Sequence, residues 1–213
     1  RLVDCVGYLV SGALGHLEND TPRMVDTPWF EEKIPFGQAA EIGTKKVITE
    51  HSTIGLVITT DGSITDIPRE EYIEAETRVI SEIKSTGKPF AIILNSAEPS
   101  SDEATYIADE LRSNYNVPVL PVNCSTMTQD DINNIMQTLL YEFPIMEIGI
   151  NIPTWMVSLD YNEDLKASLT DAIKESFEPA SKVRHISECI ETLAAFPFVK
   201  KATISSIDAG SGC

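Results

Sequence analysis

Three short polar motifs follow predicted β-strands, and their residue types could bind a nucleotide. The first is the D-x-x-G pattern of Asp4 and Gly7, at the end of a strand predicted over residues 1–6. An aspartate in that position can hold Mg²⁺ through water, and a glycine lets its backbone amide approach a γ-phosphate. The pattern is short, and an ordinary Asx-type turn after a strand explains it equally well.

The second motif, Asn95-Ser96-Ala97-Glu98, directly follows the continuous apolar strand predicted over residues 90–94. GTPases have Asn-Lys-x-Asp at this place, where the aspartate recognises guanine and the asparagine joins neighbouring loops. Here Ser96 stands at the lysine position and Glu98 at the aspartate position, so the stacking of lysine on the base is lost. An asparagine turn at the end of a strand is the alternative interpretation.

The third motif begins at Asn123, which closes a strand predicted over residues 117–122. GTPases place a loop of small polar residues beneath the base at this point. Ligands bind at the carboxyl ends of parallel strands, so the three motifs together predict a nucleotide site there. The phosphate-binding pattern G-x-x-x-x-G-K-[ST] does not occur in the 213 residues, so its amides and its lysine are missing from the predicted site.

Three further features allow plainer explanations. Asp61-Gly62 follows a strand predicted over residues 54–60, and a tight turn explains it better than a metal ligand does. Glutamates 70, 71, 74 and 76 are expected to form the solvated face of a helix. Trp29 and Phe30 lie in an irregular segment, residues 8–37, which we expect to be functional or mobile; they could anchor a partner or pin the segment to the core.

Short apolar strands alternate with amphipathic helices, which predicts an α/β fold with a mainly parallel sheet and helices on both faces. Helices are predicted near residues 38–50, 69–86, 101–115 and 129–143. Pro118 and Pro121 place the last strand near the sheet edge. Beyond Pro144, strands at 145–152 and 199–207 and helices at 163–177 and 181–195 predict the beginning of a second α/β domain. We therefore predict domains at 1–145 and 146–213.

The composition excludes several classes of protein. The chain has 16 basic and 33 acidic residues, a net charge of −17, which argues against sequence-independent binding to nucleic acid and against a polybasic membrane anchor. The longest apolar run, Phe90–Leu94, is far too short for a transmembrane segment. The four cysteines have no C-x-x-C spacing, so neither a disulfide framework nor a zinc site is predicted.

Several longer strings make the chain resemble the stage IV sporulation protein A family of spore-coat ATPases. The resemblance covers about residues 1–160 and is weaker beyond them. It rests on Arg1–Tyr8, Thr27–Glu32, Ala40–Thr44, His51–Gly55, Ile58–Gly62, Tyr72–Glu76, Gly87–Phe90, Leu140–Pro144 and Asn151–Trp155.

The resemblance implies a GTPase-like P-loop NTPase fold that binds ATP and Mg²⁺, hydrolyses ATP and polymerises into the basement layer of the endospore coat. It makes Asp4 the Walker B aspartate, holding Mg²⁺ through water, and places Asn95, Ser96 and Asn123 at the base site. It implies a location in the mother-cell cytoplasm, at the forespore surface. The implied partners are further copies of the chain, a small amphipathic membrane-anchoring peptide and other coat proteins.

In the family the Walker A loop precedes the position of Arg1, so we expect this chain to be a central piece, incomplete at both ends and inactive by itself. Two alternatives remain open. One is a non-enzymatic scaffold with a degenerate NTPase fold, and the other is a GTPase-fold switch in which Glu98 accepts from guanine.

Overall fold

The computed structural model describes residues 2–157 and 164–208, so the first residues of the strand predicted at 1–6 and of the helix predicted at 163–177 lie outside it. The chain divides into two compact units, Arg1–Met136 and Gln137–Cys213. In chain order the first unit contains β1 (Leu17–Glu18), β2 (Thr21–Pro22), β3 (Met24–Thr27), β4 (Phe30–Pro35), α1 (Phe36–Lys46), β5 (Gly55–Thr60), α2 (Ile73–Ser85), β6 (Phe90–Asn95), α3 (Asp102–Tyr115) and β7 (Val119–Val122).

Helix α4 (Gln129–Tyr141) begins in the first unit and ends in the second. A π-helical turn, Val47–His51, continues α1, and a 3-10 turn, Arg69–Tyr72, leads into α2. In the described part of the second unit the helices are α5 (Thr154–Val157), α6 (Asp164–Phe177) and α7 (Ile186–Ala194), with a 3-10 turn at Val183–His185. These bounds confirm the predicted helices within a few residues.

The main sheet is parallel, in the order β5-β6-β7. Residues 90–94 of the central strand are buried on both faces, as a continuous apolar run predicts. On one face, Val57, Ile92 and Leu94 form a core with α2 and α3, which contribute Ile80, Ile83, Ala104, Ile107, Ala108 and Leu111. β7, which contains Pro121 and follows Pro118, lies at the sheet edge, as predicted. The predicted α/β class is confirmed.

The strand predicted over residues 1–6 is absent: the described residues 2–10 form no strand, and Leu2 and Val6 are exposed. An extended segment needs a neighbouring strand to pair its backbone groups, and among the described residues none pairs with this one. An apolar run alone was therefore not sufficient evidence for a strand.

The segment predicted to be irregular, residues 8–37, contains two antiparallel hairpins, β1-β2 and β3-β4. The turn of the first is Asn19-Asp20, and both residues have positive φ, as a type I′ hairpin turn requires. Trp29 is at the turn of the second hairpin and lies against Gly43 of α1, where a Cβ atom would be 3.2 Å from the indole ring. Trp29 therefore pins its hairpin to α1, which was one of the two interpretations.

The strands predicted over 145–152 and 199–207 are also absent from the described part of the second unit, where only Pro144 and Lys182 form an isolated β-bridge. Residues 145–152 alternate apolar side chains and residues 199–207 contain several at irregular spacing, but Met146, Ile150 and Ile204 are exposed. As in residues 2–6, apolar side chains are present, but no strand among the described residues pairs with either segment.

A buried carboxylate holds the start of the second unit together. The side chain of Glu142 is 1% exposed, with Lys182 Nζ at 2.6 Å and Arg184 Nη1 at 3.2 Å from its two oxygens. The backbone on either side is paired as well, since the Val183 amide donates to Phe143 O at 3.1 Å. These contacts fix the residues after α4 against those before α7.

Candidate functional site

The carboxyl ends of the three parallel strands meet at one edge of the sheet. Thr60 pairs with Asn95, and Asn95 pairs with Val122, so the strands end level with one another. The next residue along each strand is Asp61, Ser96 or Asn123, and the loops that they begin are linked by side-chain hydrogen bonds. This edge is where a doubly wound α/β sheet binds its ligands.

Asn95 and Asn123 join the loops after β6 and β7 reciprocally. Asn95 Oδ1 accepts from the Cys124 amide at 3.0 Å, and Asn123 Nδ2 donates to Ala97 O at 3.1 Å. Asn123 Oδ1 also accepts from the Ser125 amide at 3.0 Å, which closes its own turn. The structure therefore brings together two residues of the predicted base site, and Asn95 ties two loops together as the GTPase comparison leads one to expect.

Ser96 is fully buried, at 0% exposure. Its amide donates to Val122 O at 3.0 Å, and its hydroxyl oxygen accepts from the Glu98 amide at 3.1 Å. The Ser96 side chain also helps to lower the pKa of the Asp61 carboxyl. The buried Ser96 side chain therefore stabilises the conformation of the loop after β6. Direct contact between Ser96 and a ligand stays a prediction.

Asp61 and Ser63 were not predicted as site residues, yet they belong to the same network. Asp61 Oδ1 accepts from the Ser63 amide at 2.9 Å and from the Ser63 hydroxyl at 2.5 Å. Ser63 Oγ in turn accepts from the Ala97 amide at 2.9 Å. Partial burial raises the pKa of Asp61, but the hydrogen bonds from Ser63 and Ser96 outweigh it and lower that pKa overall. The only sequence signal was that Asp61, like Asn95, directly follows a predicted strand.

Among the described residues, no hydrogen bond connects Asp4 or Gly7 to this network of loops. Asp4 is exposed, and within the described chain it forms no hydrogen bond or ion pair. The Gly7 amide donates to Thr44 Oγ1 of α1 at 3.0 Å, and Gly7 has a φ of 82°, which favours glycine. No hydrogen bond among the described residues joins either of them to Asn95, so their roles toward a phosphate or a metal stay predictions.

A magnesium ion bound to a nucleotide takes most of its ligands from water and phosphate oxygens and needs few carboxylates from the protein. Among residues 2–157 and 164–208, no group of three or more His, Cys, Asp and Glu side chains could hold a metal by itself. The exposed carboxylate of Asp4 suits a Mg²⁺ ion that is held through water molecules. It does not suit an ion that takes all of its ligands from protein side chains.

Glu76 differs from its prediction, because it is buried and is not part of a solvated face. Arg69 Nη1 lies 2.7 Å from Glu76 Oε2, and Nη2 donates to Oε1 at 2.9 Å. Arg69 also donates to Thr59 Oγ1 at 3.1 Å, near the end of β5. This pair fixes the start of α2 against the strand that leads to Asp61.

Two family models match the chain end to end. Residues 1–144 match "Stage IV sporulation protein A, ATPase domain", and residues 145–213 match the middle domain of the same family. The chain belongs to the stage IV sporulation protein A family. The family's ATPase domain thus includes the sheet, the linked loops and the segment with Asp4.

Curated relatives named stage IV sporulation protein A agree with this assignment. The proteins of Bacillus subtilis (strain 168), Clostridioides difficile (strain 630) and Bacillus anthracis are 45%, 46% and 42% identical over 212 residues. The match covers 100% of this chain and 43% of each relative. No solved structure matches the chain. In the described residues we find no helix with the length and apolar character needed to cross a membrane.

Proposed function

We propose that this chain is part of an ATP-hydrolysing, self-assembling scaffold that forms the basement layer of the endospore coat. In this proposal residues 1–145 belong to the ATPase domain and residues 146–213 begin a middle α/β domain. The observation that carries it is the reciprocal link of Asn95 and Asn123 across two strand ends, at 3.0 and 3.1 Å, in a region matched by an ATPase-domain family. Rigid loops at that edge suit the binding of a base.

Each predicted residue has a distinct role in the proposed site. Asn95, Ser96 and Asn123 shape the loops around the adenine base. Asp4 would hold Mg²⁺ through water, and the metal would neutralise charge on the phosphates. The Gly7 amide would sense the γ-phosphate, for which it has to leave Thr44 Oγ1, now 3.0 Å away. The 213 residues contain no G-x-x-x-x-G-K-[ST] loop, so we expect no ATP hydrolysis by this chain alone.

Membership in a sporulation family supports the proposed setting. The scaffold would assemble from copies of itself in the mother-cell cytoplasm, at the forespore surface. A small amphipathic membrane-anchoring peptide and other coat proteins would be its partners there. The net charge of −17 argues against nucleic acid as a partner.

The test is ATP turnover and sedimentation of the complete gene product, unchanged and with Asp4→Ala. We expect Asp4→Ala to abolish turnover and ATP-dependent pelleting together, while Asp66→Ala, at another exposed aspartate, leaves both intact. Normal turnover by Asp4→Ala would overturn the role of Asp4. An unchanged protein that pellets but never turns over ATP would favour the non-enzymatic scaffold.

A GTPase remains the second candidate because Glu98 is exposed in the loop after β6, where its carboxylate can reach a base. Competition between ATP and GTP for the complete gene product decides between them. Displacement of ATP by GTP at equal or lower concentration would favour the GTPase. Glu98→Gln should leave ATP binding unchanged if the ligand is ATP.

A further inference from the structure

We propose that Asp61 and Ser63 are positioning residues for the nucleotide site, which hold the backbone of Ala97 and so set the shape of the loop Asn95–Glu98. The inference rests on the proposed function, because it names residues that tune that same site. It concerns a third loop, the one after β5, whose link to the base loop the sequence motifs did not predict.

The peptide groups of Ala97 are held from two sides. Its amide donates to Ser63 Oγ at 2.9 Å, and its carbonyl oxygen accepts from Asn123 Nδ2 at 3.1 Å. Ala97 itself is exposed and lies between Ser96, which is fully buried, and Glu98, which is exposed. The loops after β5 and β7 therefore hold the loop after β6 between them at its surface residue.

The Ser63 hydroxyl has one proton to donate, and it donates that proton to Asp61 Oδ1 at 2.5 Å. Its oxygen is then left as an acceptor for the Ala97 amide, and the carboxylate fixes this orientation. Asp61 Oδ1 also accepts from the Ser63 amide at 2.9 Å. Asp61 therefore acts on the site through Ser63, whose hydroxyl it orients.

The turn that carries these residues cannot easily move away from the loop. Gly62 has a φ of 89°, and a Cβ atom there would lie 3.0 Å from the backbone nitrogen of Arg69. The Gly62 amide donates to Thr60 Oγ1 at 3.1 Å. Arg69 is itself paired with the buried Glu76, with Nη1 2.7 Å from Oε2. The support behind Ser63 is therefore rigid, as a positioning residue requires.

The experiment measures ATP affinity by calorimetry and steady-state turnover for the complete gene product, unchanged and with Ser63→Ala, Ser63→Thr or Asp61→Ala. We expect Ser63→Ala and Asp61→Ala to raise the KM and Kd for ATP about 5- to 10-fold with kcat changed less than about 2-fold, since loss of one positioning hydrogen bond costs about 1 kcal/mol. Ser63→Thr keeps the hydroxyl and should restore the affinity. Ser85→Ala is the matched control, because Ser85 is also exposed and donates to a backbone carbonyl at 2.7 Å, but on α2.

Amide hydrogen exchange on the same proteins gives a second readout. Ser63→Ala should speed exchange at Ala97, while the amides of β6 keep their protection, which also shows that the variant is folded. An unchanged protein that binds no ATP would overturn the proposed function and this inference with it. If the unchanged protein binds ATP and Ser63→Ala binds it equally well, the proposed function stands and this inference is wrong.

Discussion

The guanidinium carbon of Arg78 lies 4.5 Å from the centre of the Tyr8 ring. The same guanidinium donates two hydrogen bonds to Glu41, at 2.7 and 2.8 Å, and the Tyr8 hydroxyl donates to Glu82. Tyr8 directly follows Gly7, whose amide is predicted to meet a γ-phosphate. The residues after the D-x-x-G pattern are therefore anchored to α1 and α2, although residues 2–6 form no strand.

Tyr8→Phe should destabilise the protein by about 1.5 kcal/mol or more, because it removes a hydrogen bond to a carboxylate. It should also change how the free energy of unfolding depends on pH above neutrality. Burial, and then the hydrogen bond and the negative charge of Glu82, raise the pKa of Tyr8. A raised pKa gives stability that is complete below the unfolded value of about 10 and is lost as the pH rises toward the folded value.

Urea denaturation at neutral pH and above about pH 10 measures this difference. The unfolding free energy of the unchanged protein should fall more steeply with pH than that of Tyr8→Phe. The control is Tyr106→Phe, at a tyrosine that is 70% exposed on α3. Equal alkaline slopes for Tyr8→Phe and the unchanged protein would contradict the contact with Glu82.

Thr44→Val should cost about 1 kcal/mol or slightly more. The side chain keeps its shape at a site that is 1% exposed, but the Gly7 amide loses its acceptor. Thr49→Val is a matched control on the same helical segment, since Thr49 is exposed and its hydroxyl donates to Lys45 O within one turn. Denaturation gives the cost, and amide exchange at Gly7 locates it. Unchanged exchange at Gly7 in Thr44→Val would show that this hydrogen bond is not formed in solution.

Gly55→Ala should be destabilising and should be rescued by a second change. A Cβ atom at Gly55 would lie 2.1 Å from Cδ1 of Ile83, which is buried at 3% exposure. Overpacking of this kind costs about 1–3 kcal/mol, and Ile83→Val, which removes Cδ1, costs about 0.5–1.5 kcal/mol. The double variant should lose less stability than the sum of the two single variants.

Midpoints of urea denaturation for the four proteins of this cycle measure the coupling. Gly149→Ala serves as the control because, apart from its chain neighbours, no atom of the described residues lies within 4 Å of the added methyl group. Strictly additive costs in the cycle would mean that Gly55 and Ile83 do not meet as the structure places them.

Asp61→Asn should make the stability of the protein less dependent on pH in the acidic range. Burial opposes ionisation of Asp61, but the bonds from Ser63 and Ser96 prevail and lower its pKa. A lowered pKa gives stability that is present above the unfolded value of about 3.9 and is lost as the pH falls through the folded value. The thermal midpoint, followed from neutral pH down to about pH 3, should fall less for Asp61→Asn than for the unchanged protein. Asp66→Asn, at an exposed residue nearby, should show the same fall in thermal midpoint as the unchanged protein. If the midpoint of Asp61→Asn also fell in parallel with that of the unchanged protein, the result would count against the hydrogen bonds proposed for Asp61.

The parts of the fold that were predictable are those whose evidence is local. The continuous apolar run of 90–94 predicted a strand buried on both faces, and the two prolines near β7 predicted an edge. The strands predicted over 1–6, 145–152 and 199–207 have the right side chains but no paired neighbour among the described residues. A strand depends on a second segment, which a local pattern does not contain.

The candidate site shows the same division. Asn95 and Asn123 were predicted because each follows a strand, and the structure joins their loops. Ser63 bonds Ala97 across 34 positions in the sequence, so no local motif signals it, and Asp61-Gly62 alone was explained by a turn. Glu76 was expected in solvent because of its charge, and only the contact with Arg69 explains its burial.

Glu142 precedes the point at which the family's ATPase-domain model ends, at residue 144, while Lys182 and Arg184 fall within its middle-domain model. Because Glu142 is 1% exposed between those two cations, a chimera that exchanges one domain between relatives at residue 144 inherits its carboxylate from one parent and its cations from the other. If the second parent lacks one of these cations, or if the chain is cut at residue 144, the buried carboxylate of Glu142 loses a partner, at a cost of roughly 3–5 kcal/mol. For shuffling or dissection of this protein, the indivisible module therefore begins before Glu142 and extends beyond Arg184.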